Sequence, residues 1–129
     1  MEKGTLIKVG MADLKAASYP NILTTLGLGS CVGIALYDSC TKIIGLAHVM
    51  LPSSQQARNN SNTAKFADTA IARLLEEMKN MGAKPGNIIA KLAGGAQMFN
   101  FSEASDILRI GTRNVIAAKE CLKELNIPI

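Results

Sequence analysis

The segment CVGIALYDSCTKIIGLAHVML, residues 31–51, decides what kind of fold this sequence encodes. CVGIALYD is short, apolar and partly β-branched, and Asp38 and Ser39 end it; KIIGLAHVML is a second such run, stopped by Pro52. DSCT between them is hairpin-loop chemistry, so the stretch predicts two antiparallel strands. Upstream, TLIKVGMADL (5–14) alternates loosely and predicts a first strand, after which KAASYPN (15–21) predicts a turn through Ser18, Pro20 and Asn21. ILTTLGLGS (22–30) begins as a further strand and dissolves into glycine.

Downstream, SSQQARNNSN (53–62) is small and polar and predicts an exposed, mobile loop. In KFADTAIARLLEEMKNMG (65–82), Phe66, Ala70, Ile71, Leu74, Leu75 and Met78 recur at helical spacing; Gly82 stands where a C-cap belongs, with Pro85 beyond it. NIIAKLAGGAQMF (87–99) predicts a strand over 87–93 entering a glycine turn, and NFSEASDIL (100–108) is too polar to assign. TRNVIAAKECLKELN (112–126) predicts a second helix, capped by Thr112, with Val115, Ile116, Cys121, Leu122 and Leu125 facing inward. Early strands, with helices between and after them, predict a single α+β layered domain.

The 129 residues are 48% hydrophobic and 19% charged, which is globular composition. A net charge of +4 is spread along the chain with few aromatic residues and no basic run, so nucleic acid is not the expected partner, and an acidic protein fits the charge as well. No signal-peptide core occurs, and no segment approaches the ~20 apolar residues of a membrane span. The expected location is the cytoplasm, without membrane insertion. There Cys31, Cys40 and Cys121 are expected to be free thiols.

The glycines at 27, 29 and 33 are one residue too widely spaced for a dinucleotide fingerprint and lead into a strand rather than a helix. His48 is the sole histidine and no C-x-x-C occurs, so neither a metal nor another cofactor is expected. Taken singly, Cys31 is a small buried hydrophobe and His48 a core histidine. Taken together they lie on strands ~4.8 Å apart, close enough for a thiol and an imidazole to meet. A thiol of ordinary pKa ~8.5 is little ionised at neutral pH, and a neighbouring imidazolium raises its thiolate fraction. The glycines before Cys31 leave its sulfur open, and the backbone N–H groups near Gly29 and Ser30 suit an oxyanion. A hydroxyl from Thr25, Thr24 or Ser30 serves to orient the imidazole. Cys40 and Cys121 are read as incidental and packing residues.

These residues resemble the CheD family of chemoreceptor glutamine deamidases. The similarity runs through TLGLGSCVGIALYD, GLAHVMLP, KFADTAIARLLEEMKNMGA, KLAGGAQMF and IGTRNV, in family order. The resemblance implies a Cys–His–Thr site on Cys31, His48 and Thr25, and a glutamine hydrolysed to glutamate through a cysteine thioester. It implies a layered sandwich of mixed β-sheets with flanking helices, similar to the catalytic domain of cytotoxic necrotizing factor toxins. The partners it implies are chemoreceptor cytoplasmic helices and a CheC-type phosphatase, with Gly27, Gly94, Gly95, Met98 and Phe99 as groove candidates. A regulatory module that binds CheC without catalysis, or a cysteine hydrolase of another substrate, are the competing readings. The family continues past the second helix with a glycine- and arginine-containing segment and closing strands, where this sequence ends at NIPI, so the domain over 1–129 is expected without those strands.

Overall fold

The computed structural model describes residues 3–55, 57–96 and 109–129. In chain order its elements are β1 (Leu6–Lys8), β2 (Asp13–Ser18), β3 (Ile22–Thr24), β4 (Val32–Asp38), β5 (Ile43–Val49), α1 (Ala67–Asn80), β6 (Ile88–Gly94) and α2 (Ile110–Glu124). The described residues form an α+β arrangement: a four-stranded antiparallel sheet in the order β2-β5-β4-β6, a two-stranded parallel sheet of β1 and β3, and two helices.

The hairpin expected from residues 31–51 is the centre of the larger sheet. Its register pairs Val32, Ile34 and Leu36 with Val49, Ala47 and Gly45, so period-two alternation puts these residues on one face. That face is buried under α1, whose Ala67, Ala70, Ile71, Leu74 and Met78 form the complementary stripe. Gly45 allows the close approach: a Cβ there would lie 2.7 Å from Met78 Sδ and 2.8 Å from Leu74 Cδ1. Burying one such leucine is worth about 1.5–3 kcal/mol, so this seam anchors the layers. The helix stops where the sequence places its glycine. Gly82, at φ +109°, donates to Lys79 O, and Ala83 donates to Met78 O, satisfying two carbonyls of the last turn.

Two expectations are corrected. Residues 15–18 are strand, not turn: β2 pairs Lys15 with Leu46 and Ser18 with Ile43, and the break in the expected 5–14 strand falls at residues 9–12, where Ala12 takes φ +56°. The second helix starts at Ile110, so Thr112 lies in its first turn instead of capping it. Its buried residues are Gly111, Asn114, Ala118 and Leu122; Val115 and Cys121 are half-buried, while Ile116 and Leu125 are exposed. The inward face is therefore turned toward two residues that carry no hydrophobic signal. Residues 97–108, including Met98, Phe99 and the unassigned NFSEASDIL, lie outside the described residues.

Asp38 closes the hairpin. Its fully buried carboxylate accepts the N–H groups of Cys40 (2.9 Å), Thr41 (3.3 Å) and Lys84 (2.8 Å), tying the β4–β5 turn to the segment entering β6. The Lys84 N–H foremost, then the Thr41 and Cys40 bonds, hold its carboxyl below the usual 3.8 against the opposing effect of burial. A depressed folded pKa stabilises above the unfolded value and loses that effect as pH falls through the folded one. Asp38→Ala is expected to lower Tm by several degrees at neutral pH, and the gap from wild type to close below pH 3.8 in thermal melts.

Candidate active site

Cys31 immediately precedes β4, and the register places His48 of β5 opposite Gly33. Continuing the alternation back from Gly33 sets Cys31, in the bend before β4, toward the His48 face, and no hydrogen bond joins its thiol to His48 Nε2. This face is opposite the helix-covered core. Gly33 offers no side chain between the two, and the Leu28 methyl carbons fill the gap, 3.4 and 3.5 Å from where its Cβ would be. Cys31 is only 7% exposed and His48 is fully buried.

The small sheet supplies the ring's second contact. β1 and β3 lie parallel, bringing Val9 beside Thr24 and Thr25, and the Val9 N–H donates to Thr24 O (2.7 Å). The Thr25 hydroxyl donates its one proton to Val9 O (2.6 Å), and its oxygen sits 2.8 Å from His48 Nδ1. With that proton committed, Thr25 faces the ring as an acceptor, so Nδ1 carries the ring hydrogen. Nε2 is left bare; it is buried and without a hydrogen-bond partner among the described residues. Of the three hydroxyls open on sequence, Thr25 is the one that meets the ring.

Burial pushes the His48 pKa below 6.5 and the Cys31 pKa above 9.0. Desolvation thus disfavours the charged form of each group, which works against the imidazolium-promoted thiolate expected from sequence.

The loop before Cys31 is pinned by its carbonyls. Leu28 O accepts from Cys31 N–H, Gly29 O from Ala96 N–H (2.9 Å), Ser30 O from Asn114 Nδ2 (2.9 Å) and Cys31 O from Gly95 N–H (2.8 Å). A trans peptide points its N–H opposite its C=O, so fixing the carbonyls of Leu28 and Gly29 aims the N–H groups of Gly29 and Ser30 the other way. Neither N–H has a hydrogen-bond partner among the described residues. The Cys31 N–H is already used, donating to Leu28 O.

Gly94 and Gly95, expected along a groove, back this loop at φ +93° and +72°; a Cβ on Gly94 would lie 2.3 Å from Cys31 O. Gly27, at φ +70°, is exposed at the loop's outer end next to Leu26, which is 78% exposed. A pocket of about 190 Å³ lined by Lys8, Val9, Gly10, Thr24, Thr25 and Leu26 opens beside them. A larger one of about 450 Å³, between α2 and Asp68, touches none of Cys31, His48 and Thr25. Sequence reasoning missed Val9 and Asn114. A backbone carbonyl has no sequence signature, whereas Asn114 lies three residues after Gly111 and four before Ala118, on the stripe α2 buries.

All three cysteines are free, and no three His, Cys, Asp or Glu side chains cluster as metal ligands among the described residues. No helix among these residues is long and apolar enough to cross a membrane.

Known proteins share this sequence at high identity. The family model described as CheD chemotactic sensory transduction matches residues 50–129. A probable chemoreceptor glutamine deamidase CheD of Caldanaerobacter subterraneus subsp. tengcongensis is 60% identical over 124 residues, 96% of this chain and 76% of the relative. That of Lachnoclostridium phytofermentans is 56% identical over 126 residues, covering 98% and 78%. The chemoreceptor glutamine deamidase CheD of Halalkalibacterium halodurans is 51% identical over 125 residues, covering 96% and 77%. The relatives' matches span both the glycine–cysteine loop and the two helices, the family model spans both helices, and the chain belongs to the CheD family.

Proposed function

We infer that this chain is a chemoreceptor glutamine deamidase acting in chemotaxis, with Cys31 as nucleophile, His48 as base and Thr25 as the residue that orients the ring. The observation that carries this reading is the bare, buried Nε2 of His48, its tautomer set by the Thr25–Val9 bond, on the sheet face that Cys31 shares. The names of the relatives agree with it.

In this reading Nε2 takes the thiol proton as the sulfur attacks the carboxamide carbon, and the carbonyl electron pair moves onto oxygen. The N–H groups of Gly29 and Ser30 receive that oxyanion. When the tetrahedral adduct collapses, the C–N bond breaks, the imidazolium protonates the departing amine as ammonia, and a thioester remains. Water then attacks, giving its proton to Nε2; the C–S bond breaks, the sulfur regains the proton, and glutamate is released. Substrate entry requires Leu28 to swing from over Gly33, a motion that its flanking residues Gly27 and Gly29 support.

The exposed Leu26 beside Thr25 supports this rim as the docking place of a chemoreceptor cytoplasmic helix, and a CheC-type phosphatase seated there would block turnover without touching Cys31. Such catalysis takes place in the cytoplasm. The antiparallel sheet, backed by two helices and flanked by a second small sheet, supports the expected kinship with the cytotoxic necrotizing factor catalytic domain. Incubation with a chemoreceptor cytoplasmic fragment is expected to convert selected glutamines to glutamates, read by mass spectrometry with release of ammonia. A receptor left unmodified by wild-type protein overturns the reading.

A further inference from the structure

We propose that Asn114 is the positioning residue of this site: its amide clamps the backbone ahead of Cys31 to the backbone beyond His48 and so sets the spacing of thiol and imidazole. Asn114 is fully buried on α2. Its Nδ2 donates to Ser30 O (2.9 Å) and to Met50 O (3.0 Å). Ser30 is the residue before Cys31, and Met50 is two residues past His48, just beyond the end of β5. One side chain of α2 thereby joins the two chain segments whose separation the chemistry depends on.

The amide's orientation is fixed chemically. Both partners are carbonyl oxygens and only accept, so the NH2 group faces them and both of its hydrogens are committed. Ser30 O is part of the peptide plane that carries the Cys31 N–H, and that N–H is itself held by Leu28 O. Locking this plane on both sides fixes the Cα from which the thiol projects. At the other end, the Met50 N–H donates to Lys65 O (2.8 Å), so the clamp meets a strand exit that is already anchored.

The cost of the arrangement separates positioning from packing. Asn114 Oδ1 is buried and has no hydrogen-bond partner among the described residues. An orphaned buried acceptor is unfavourable, and the other buried residues of α2 are Gly111, Ala118 and Leu122. A hydrocarbon side chain here would remove that orphan but leave Ser30 O and Met50 O without their donor, so the amide is kept by the two carbonyls it joins. What the amide supplies, and leucine does not, is a two-pronged donor between the Cys31 loop and the β5 exit.

This proposal rests on the deamidase reading, and the test separates the two. Wild type, Asn114→Leu and Asn114→Ala are assayed with a chemoreceptor cytoplasmic fragment for kcat and KM, alongside their melting temperatures. A displacement of about 1 Å at a reacting group costs on the order of 10²-fold in rate, so Asn114→Leu is expected to lose about that factor in kcat with KM within about threefold of wild type, and its Tm to fall modestly because Ser30 O and Met50 O lose their donor. Asn114→Ala is expected to show the same kinetic split with a lower Tm. A kcat within about threefold of wild type in either folded variant overturns the proposal, as does a loss confined to KM. Failure of both variants to fold also overturns it, because the amide is then a requirement of the fold and not of the spacing. Absence of turnover in wild type refutes the deamidase reading itself and this proposal with it, whereas an active wild type beside an equally active Asn114→Leu refutes this proposal alone.

Discussion

Cys31→Ala is expected to cut glutamine conversion by more than about 10³-fold while leaving the fold and receptor binding intact. The reaction as proposed runs through a covalent thioester, and alanine offers no atom to form it. What survives is the part of catalysis that needs no nucleophile: substrate placement and the N–H groups of Gly29 and Ser30. Structurally the change is mild, since the loop is held by backbone carbonyl bonds to Ala96, Asn114, Gly95 and Cys31 itself, none of which uses the sulfur. The measurement is receptor glutamate content by mass spectrometry against time, with receptor pull-down as the binding control. Wild-type turnover in Cys31→Ala removes the thiol from the mechanism; wild-type regulation of the receptor by this variant, with no conversion by either protein, points to the binding module.

The second large effect concerns the base. Loss of general acid–base assistance costs about 10²–10⁴-fold, and His48→Asn is expected to fall in that range. Asparagine is chosen because its amide retains a donor toward Thr25 Oγ1, which accepts from the ring in the wild type. Alanine would leave that hydroxyl facing a buried void. The pH profile carries the same assignment: the acid limb of wild-type kcat/KM lies below pH 6.5, where the depressed His48 pKa falls, and the limb set by the Cys31 thiol lies above 9.0.

Stability follows the same group with a definite sign. At pH above 6.5 the ring is neutral whether the chain is folded or not, and its full contribution is present. Between 6.5 and the lower folded pKa only the unfolded chain takes the proton, so stability declines as pH falls through that window. In thermal melts His48→Asn is expected to remove this part of the acid slope. An unchanged slope in the variant means that another group titrates there.

The central hairpin and α1 are legible in the amino-acid sequence because both are specified by near neighbours: alternation interrupted by DSCT, and a helical stripe ended by Gly82. β2 is not legible in this way. Residues 15–18 are strand because they pair with β5, a partner distant along the chain, and that non-local pairing overrides the nearby turn signals. The α2 face is misjudged from sequence for a related reason. Counting apolar residues favours Ile116 and Leu125, while the face actually buried includes Gly111, packed against the Gly95–Ala96 turn, and Asn114, spent on hydrogen bonds. At the site, Cys31 and His48 are legible as a pair because one hairpin brings the residue that leads into β4 to the end of β5 that carries His48. Thr25 is one of three hydroxyls until the family resemblance singles it out, since only the pairing of β1 with β3 brings it and Val9 to the ring.

The shielding of Cys31 has a consequence for durability. Peroxide and disulfide reagents attack a sulfur that is ionised and within reach, and burial that leaves the residue 7% exposed works against both conditions. Oxidants in the surrounding solution therefore spend this sulfur more slowly than one left uncovered, such as that of Cys40.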